Sequence, residues 1–217
     1  MKETIMNEVF ENNVAITSIR NFYMNYRKLI LGIAVLVILI ISAYLINNQI
    51  AKMNNLEAAE IYNKWIAQET ETDEGKIISE ELFADLISSY KKTGYANIAL
   101  LNHASVKANN GDLESALNYF LLLKQSTEGI GSNKLFNKMA SINAARIMYA
   151  QENYEDALTI LDKYSSSNAV IHELIGDILQ KQNKLELAKE QYNLAKEKYT
   201  DDTSISIISM KISNLTI

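Results

Sequence analysis

The chain has 217 residues, a formal net charge of −5, and neither cysteine nor proline. With this charge and no long basic run, the chain lacks the electrostatic footprint of a nucleic-acid-binding protein, so nucleic acid is not an expected partner. Without cysteine it can form no disulfide, thiolate metal site or lipid-modified cysteine. Helix breakers are scarce, with only seven glycines, and this predicts an all-α protein.

An uncharged run of 18 residues, Leu29–Ile46, predicts a transmembrane helix. At about 1.5 Å per residue it spans roughly 27 Å, close to the thickness of a bilayer core. A buried helix of a soluble protein would carry a polar stripe, whereas this run has only Ser42 and the Tyr44 hydroxyl near its end. A cleaved signal peptide fits less well than a retained anchor, because a 28-residue tail precedes the run and no A-x-A site follows it.

The charges that flank this run predict its orientation. Arg20, Arg27 and Lys28 lie just before it, whereas only Lys52 follows closely, so the positive-inside rule places the N-terminus in the cytoplasm. In a Gram-negative bacterium the rest of the chain then lies in the periplasm. The predicted organisation is a cytosolic tail at residues 1–28, a transmembrane helix at residues 29–46 and a soluble domain at residues 47–217.

The cytosolic tail allows two interpretations. Ala15, Ile19, Phe22 and Tyr26 are spaced so that a helix would align them on one face, which could lie on the inner surface of the membrane. Alternatively, the tail is loosely ordered and only carries the charges that set the topology.

Two helices are predicted between the membrane segment and the repeats described below. The first covers Asn54–Gln68 and is followed by a polar loop, TETDEGK, that ends at Lys76. The second covers Ser79–Lys92 and is predicted to stop at Gly94, since glycine is the usual residue after a helix C-terminus.

From Tyr95 onward, three segments align without gaps when Ala116, Ala157 and Ala188 are taken as equivalent. The local motifs are GDLESA, ENYEDA and NKLELA. A large residue precedes each alanine by three positions, an acidic residue precedes it by two, and a small residue precedes it by twelve. These aligned positions are occupied by Leu113, Tyr154 and Leu185, by Glu114, Glu155 and Glu186, and by Ala104, Ala145 and Gly176.

This pattern is typical of stacked helical hairpins. Small residues let the two helices of a hairpin approach closely, the polar segments NNGD, QEN and QNK form the turns, and acidic residues favour the start of the second helix. The positions resemble the tetratricopeptide pattern, which predicts a curved solenoid. The offsets of 41 and 31 residues differ from the ideal period of about 34, so an insertion is expected at STEGIGSNK. Close packing is expected at Ala104, Ala116, Ala145, Ala157, Gly176 and Ala188.

A protein-binding surface is expected on the concave side of such a solenoid, which the first helix of each hairpin lines. A one-residue error in register rotates a helical position by about 100°, so this face depends closely on the alignment. The outward face and the anchor helix remain alternatives. The candidate protein-binding face consists of Leu101, Ser105, Arg146, Tyr149, Asp177 and Gln180.

The sequence carries no recognisable signature of catalysis. His103 and His172 stand at different repeat positions, and neither has a second histidine at metal-binding spacing. The pair Gly129 and Gly131 lacks the third glycine of a phosphate-binding loop, because Lys134 occupies that position. We therefore expect no catalytic residue, no metal and no cofactor.

The whole chain resembles the ancillary SecYEG translocon subunits of the YfgM-like family, which carry a tetratricopeptide-like domain. The segments ENNVAITSIRNF, AAEIYNKW, TGYANIALLNHA and GDLESAL occur in family order, and the ending MKISNLTI is the most specific match. The resemblance implies an inner-membrane protein of Gram-negative bacteria. Its implied partners are the Sec translocon and a membrane-anchored periplasmic chaperone of the prolyl-isomerase-like type, and its implied work is to help hand over translocated proteins.

Two other classes of function are compatible with a membrane-anchored helical repeat. A scaffolding protein of another envelope assembly or secretion machine would use the same kind of repeat, but the MKISNLTI ending and the absence of a lipid-attachment cysteine disfavour it. A hydrolase on a helical scaffold would need catalytic residues, and none is found in the sequence.

Overall fold

The computed structural model describes residues 2–129, 132–165 and 168–215, with residues 2–16 described by their backbone alone. The described residues form helices and no strands. The chain forms two compact units, one ending at Met53 and the other beginning at Asn54. The helices are α1 (Lys2–Ala67), α2 (Asp73–Ser89), α3 (Gly94–Asn109), α4 (Leu113–Ser126), α5 (Lys134–Ala150), α6 (Tyr154–Asp162), α7 (Ala169–Lys181), α8 (Leu185–Lys198) and α9 (Asp202–Ser213).

Helix α1 contains the apolar run and is long and apolar enough to cross a membrane. An 18-residue window within it reaches a mean hydropathy of 3.1, and none of that window is buried against the protein. In a lipid core a helix is the favoured backbone form, because it satisfies its hydrogen bonds internally. The helix is therefore a candidate single-pass membrane anchor.

The tail before the apolar run is helical and continuous with it. Ile19, Phe22 and Tyr26 are exposed, and the rings of Phe22 and Tyr26 are 4.9 Å apart, as expected for residues one turn apart. The side chain of Ala15, the fourth residue of the predicted face, lies outside the described residues.

Two sequence predictions about α2 and α3 were wrong. The loop predicted to reach Lys76 ends earlier, because the Thr72 hydroxyl accepts a hydrogen bond from the Gly75 N–H (3.0 Å) and starts α2 at Asp73. Gly94 does not stop α2, which ends at Ser89. Instead Gly94 is the first residue of α3, whose N-cap Thr93 accepts a hydrogen bond from the Ala96 N–H (3.2 Å).

The three predicted turns share one backbone geometry. Gly111, Glu152 and Asn183 have φ angles of 82°, 62° and 59°, and each lies five residues before the alanine used for the alignment. In each turn the next N–H donates to the carbonyl five residues back, at 2.9, 2.8 and 2.9 Å. This is a Schellman ending, in which a left-handed residue closes the helix. The hairpins α3–α4, α5–α6 and α7–α8 are thus built in the same way.

Small residues lie where the helices of each hairpin come close. The six residues expected at close-packed positions are all buried in the second unit. At Gly176 the approach is so close that a Cβ atom there would stand 2.6 Å from two ring carbons of Tyr192 on α8. The three large residues that precede the aligned alanines, Leu113, Tyr154 and Leu185, are half-buried and pack against the hydrophobic core.

The segment between α4 and α5 is the predicted insertion, although Ile130 and Gly131 lie outside the described residues. A buried polar network anchors its two sides. The Asn137 side-chain amide donates to the Lys124 carbonyl (2.6 Å) and to the Thr127 hydroxyl (3.2 Å), and it accepts from the Tyr164 hydroxyl. The two repeats on either side of the insertion therefore remain packed through α4 and α5.

Helix α9 packs on α8 after the last hairpin. The Asp201 carboxylate caps it by accepting from the Ser204 N–H (2.8 Å), and its one fully buried side chain is Ile208. The MKISNLTI segment supplies the end of α9 and buried Leu215, while Thr216 and Ile217 lie outside the described residues.

Candidate protein-binding face

The two candidates on α3 are engaged within the domain. Leu101 is half-buried and packs against two hydrophobic clusters. The Ser105 hydroxyl donates to the Leu101 carbonyl at 2.7 Å, a bond within the helix itself. Neither residue offers a prominent side chain to a partner in this conformation.

The two candidates on α5 differ in exposure. Arg146 is exposed, and its guanidinium lies 3.5 Å from the Asn143 side-chain oxygen. Tyr149 is half-buried beside Tyr154, with ring centroids 6.0 Å apart. Burial, followed by the negative charge of Asp177, raises the pKa of Tyr149, so this ring presents a neutral hydroxyl.

The two candidates on α7 belong to a hydrogen-bonded cluster. The Tyr192 hydroxyl donates to the Asp177 carboxylate (2.7 Å) and to the Gln180 side-chain oxygen (2.9 Å). The Lys211 ammonium of α9 also donates to Asp177, at 2.7 and 2.8 Å, and to Glu173 at 2.8 Å. Asp177 is therefore already bound to two groups of its own chain, whereas Gln180 is exposed.

The charges of this cluster stabilise one another. Burial by itself would raise the pKa of Glu173, but hydrogen bonds from Lys211 and Tyr199 outweigh it, and the pKa is lowered. Burial likewise opposes the charge on Lys211, yet its bonds to Asp177 and Glu173 raise its pKa. Burial and the bond to Asp177 raise the pKa of Tyr192. The cluster therefore holds two carboxylates, one ammonium and neutral tyrosines.

Sequence reasoning did not identify Glu173, Tyr192, Tyr199 or Lys211 as members of this face. The repeat alignment gives no information about Lys211, because α9 lies beyond the last aligned hairpin. The available signal was the ending MKISNLTI, which contains Lys211 and was singled out by resemblance alone.

The two histidines are both placed by aromatic or amide neighbours. His103 is stacked on Phe83, with ring centroids 4.1 Å apart, and His172 is buried with its Nδ1 atom 2.8 Å from the Gln191 side-chain oxygen. Among the residues that the structure describes, no group of three potential ligands is arranged to hold a metal ion.

Comparison with known families agrees with this architecture. The profile of the tetratricopeptide repeat-like domain matches residues 20–217, which covers the apolar helix and all the hairpins. The chain belongs to this family. No curated protein and no solved structure shows significant similarity to it. The tetratricopeptide repeat-like domain is a scaffold for interactions between proteins, and its concave side supplies the extended surface for them.

Proposed function

We propose that this protein is an inner-membrane adaptor that binds the Sec translocon and a periplasmic prolyl-isomerase-like chaperone, and assists the hand-over of translocated proteins. The observation that carries the proposal is a tetratricopeptide repeat-like domain on the same chain as a membrane-length apolar helix. Such a domain binds proteins, and the helix restricts the search for partners to those at the membrane. The resemblance of the ending MKISNLTI to ancillary translocon subunits points to the channel in particular.

The proposed topology follows from the flanking charges. Residues 1–28 form the cytosolic tail, residues 29–46 cross the inner membrane, and residues 47–217 work in the periplasm. In this arrangement the helix contacts the channel within the bilayer. The repeat domain is then free to bind the chaperone on the side where translocated chains emerge.

The proposed contact surface for the chaperone lies on the candidate face at α5 and α7. Arg146 and Gln180 are exposed there, and half-buried Tyr149 supplies an amphipathic ring on α5. Arginine and tyrosine are enriched among the residues that dominate binding energies at interfaces. Asp177 contributes indirectly, because it positions Tyr192 and Lys211.

The proposal is tested by purification from a Gram-negative host in mild detergent. The full-length chain with an affinity tag should recover channel subunits and the chaperone, and removal of residues 1–46 should reduce recovery of the channel at least about tenfold. A matched control replaces residues 29–46 with an unrelated leucine–alanine span of equal length, which keeps the membrane location and should retain the chaperone. Full recovery of the channel by the truncated chain would show that the anchor is not the contact, and recovery of neither partner by the full chain would refute the proposal.

A further inference from the structure

The segment of α1 just before the apolar run, residues 17–28, is amphipathic. At about 100° of rotation per residue, four large side chains fall within an arc of roughly 100°. This aromatic face consists of Ile19, Phe22, Tyr23 and Tyr26. Between 48% and 69% of each of these residues is exposed, so the described part of the chain does not cover the face.

The same segment is positively charged. It contains Arg20, Arg27 and Lys28 and no acidic residue, whereas the 16 residues before it contain three glutamates and one lysine. Arg20 and Arg27 are seven positions apart, so they lie on the same side of the helix, along one edge of the aromatic face. Both arginines are exposed. The segment therefore presents apolar rings and cations side by side.

The length of the segment limits where the aromatic face can lie. Ile19 and Phe22 precede Leu29, the first residue of the uncharged run, by ten and seven positions, or about 15 and 10 Å along a helix. The headgroup layer on one side of a bilayer is only about 5–8 Å thick. On a helix that leaves the bilayer upright, both side chains would stand in water. On a helix that inclines onto the surface, they reach the boundary of the acyl chains.

The charge of the segment indicates which surface covers this face. An anionic leaflet attracts cationic segments beside a span, and each lysine or arginine near the surface strengthens the association about fivefold. Arginine stems extend along apolar surface while their guanidinium groups stay among the headgroups, which suits Arg20 and Arg27 at the edge of the face. Tyrosine is enriched at the same depth. A zwitterionic surface would accommodate the rings but would not attract the cations.

We propose that residues 17–28 bind the adjoining leaflet through anionic phospholipid headgroups, with the aromatic face at the acyl boundary and Arg20 and Arg27 on the lipid phosphates. The helix then changes direction where the span begins, and Gly32 is the position at which a bend costs least, because glycine is a weak helix former. Under the proposed topology this is the cytoplasmic leaflet. The inference goes beyond the adaptor proposal and does not depend on which proteins the repeats bind.

Single spin labels can report the depth of each side of the segment, because the chain has no cysteine. The full-length protein is labelled at Ile19→Cys, on the aromatic face, or at Asn21→Cys, on the opposite side, and placed in nanodiscs of phosphatidylcholine and phosphatidylglycerol. We expect oxygen, which dissolves in lipid, to reach the Ile19→Cys label, and a water-soluble nickel chelate to reach the Asn21→Cys label. In nanodiscs of phosphatidylcholine alone, the ratio of lipid-exposed to water-exposed Ile19→Cys label should fall at least about tenfold.

Two pairs of variants, each carrying the label on the aromatic face, separate charge from apolar contact. Replacing both Arg20→Gln and Arg27→Gln should lower that ratio roughly twentyfold in the anionic discs, at about fivefold per charge. The control Lys52→Gln lies beyond the apolar run and should leave the ratio unchanged. Phe22→Ser should lower the ratio at least about fivefold, because it removes apolar surface from the lipid. Its control is Met24→Ser, an exposed position outside the aromatic face, which should have no effect.

The proposal is overturned if both labels lie in water in the anionic discs, since the segment is then upright. It is also overturned if the ratio is the same in both lipid mixtures or in the double arginine variant. Spin–spin broadening that grows with the number of chains per disc, together with shielding from oxygen, would assign the face to a second copy of the chain instead. Recovery of channel subunits and chaperone is measured separately on Phe22→Ser and should be unaffected, which distinguishes a failure of this proposal from a failure of the adaptor proposal.

Discussion

Gly176 leaves no room for a larger side chain unless its neighbours shift. A Cβ atom there would stand 2.6 Å from the Tyr192 ring, and that ring is fully buried and held by Asp177 and Gln180. We expect Gly176→Ala to lower the free energy of unfolding by about 1–3 kcal/mol, the usual effect of overpacking. Chemical denaturation of the purified protein, followed by circular dichroism, measures this.

Gly94→Ala is the matched control for that substitution. Gly94 is also helical, but nothing lies within 4 Å of a Cβ atom built there. The same change should therefore be neutral or stabilise the protein by up to about 1 kcal/mol, since alanine restricts the unfolded chain. An equal loss of stability in both variants would mean that the contact with Tyr192 is not the cause.

Glu173 makes the stability of the last repeat depend on pH. Its pKa in the folded state is lowered below its unfolded value of about 4.3, because the bonds from Lys211 and Tyr199 outweigh burial. The unfolded chain thus takes up protons first, so the stabilisation is present above about pH 4.3 and is lost as the pH falls through the folded pKa. We expect the free energy of unfolding to fall more steeply between pH 6 and pH 3 in the unmodified protein than in Glu173→Gln.

Denaturation at a series of pH values measures that slope. The control is Glu186→Gln, which removes an exposed carboxylate of the same type outside the cluster and should leave the slope as in the unmodified protein. If Glu173→Gln and the unmodified protein lose stability in parallel, the bonds to Lys211 and Tyr199 contribute little in solution, as many exposed ion pairs do.

At the scale of elements, one of the three repeated turns contains a residue in a strained backbone conformation. Glu152 occupies a left-handed position that its counterpart Gly111 adopts freely, and this conformation costs a residue with a Cβ atom roughly 1–2 kcal/mol. We expect Glu152→Gly to raise the free energy of unfolding by about 0.5–1 kcal/mol in denaturation experiments. The neighbouring change Gln151→Gly, at a φ of −88°, should stabilise nothing and is the control. Equal effects at both positions would contradict the role of the left-handed turn.

The same turns show why part of the fold could be predicted. The three hairpins are predictable because their signals are local. These signals are the polar turn residues, the small residue twelve positions before each alanine and the acidic residues at the start of the next helix. The boundary between α2 and α3 near Gly94 was not predicted correctly. Glycine often follows the end of a helix, but it can also be the first residue of one. At this boundary α2 has already ended at Ser89, and the Thr93 hydroxyl caps the start of α3.

The candidate face was predictable only as far as the repeats extend. Helical register places Arg146, Tyr149, Asp177 and Gln180 on the first helices of hairpins. The ammonium that binds Asp177 comes from Lys211, 34 positions later on a helix outside the alignment. Pairing across that distance depends on how α9 packs on α8, and periodicity within one helix does not contain this information.

At the scale of the whole molecule, the orientation in the membrane can be tested cleanly because the chain has no cysteine. A single cysteine introduced as Lys198→Cys lies at an exposed position in α8, and one introduced as Ser18→Cys lies before the apolar run. With Arg20, Arg27 and Lys28 on the cytoplasmic side, a membrane-impermeant maleimide should label Lys198→Cys in intact spheroplasts. It should label Ser18→Cys only after the membrane is permeabilised. The opposite labelling would reverse the topology, place the repeat domain in the cytoplasm and remove the basis for a periplasmic partner.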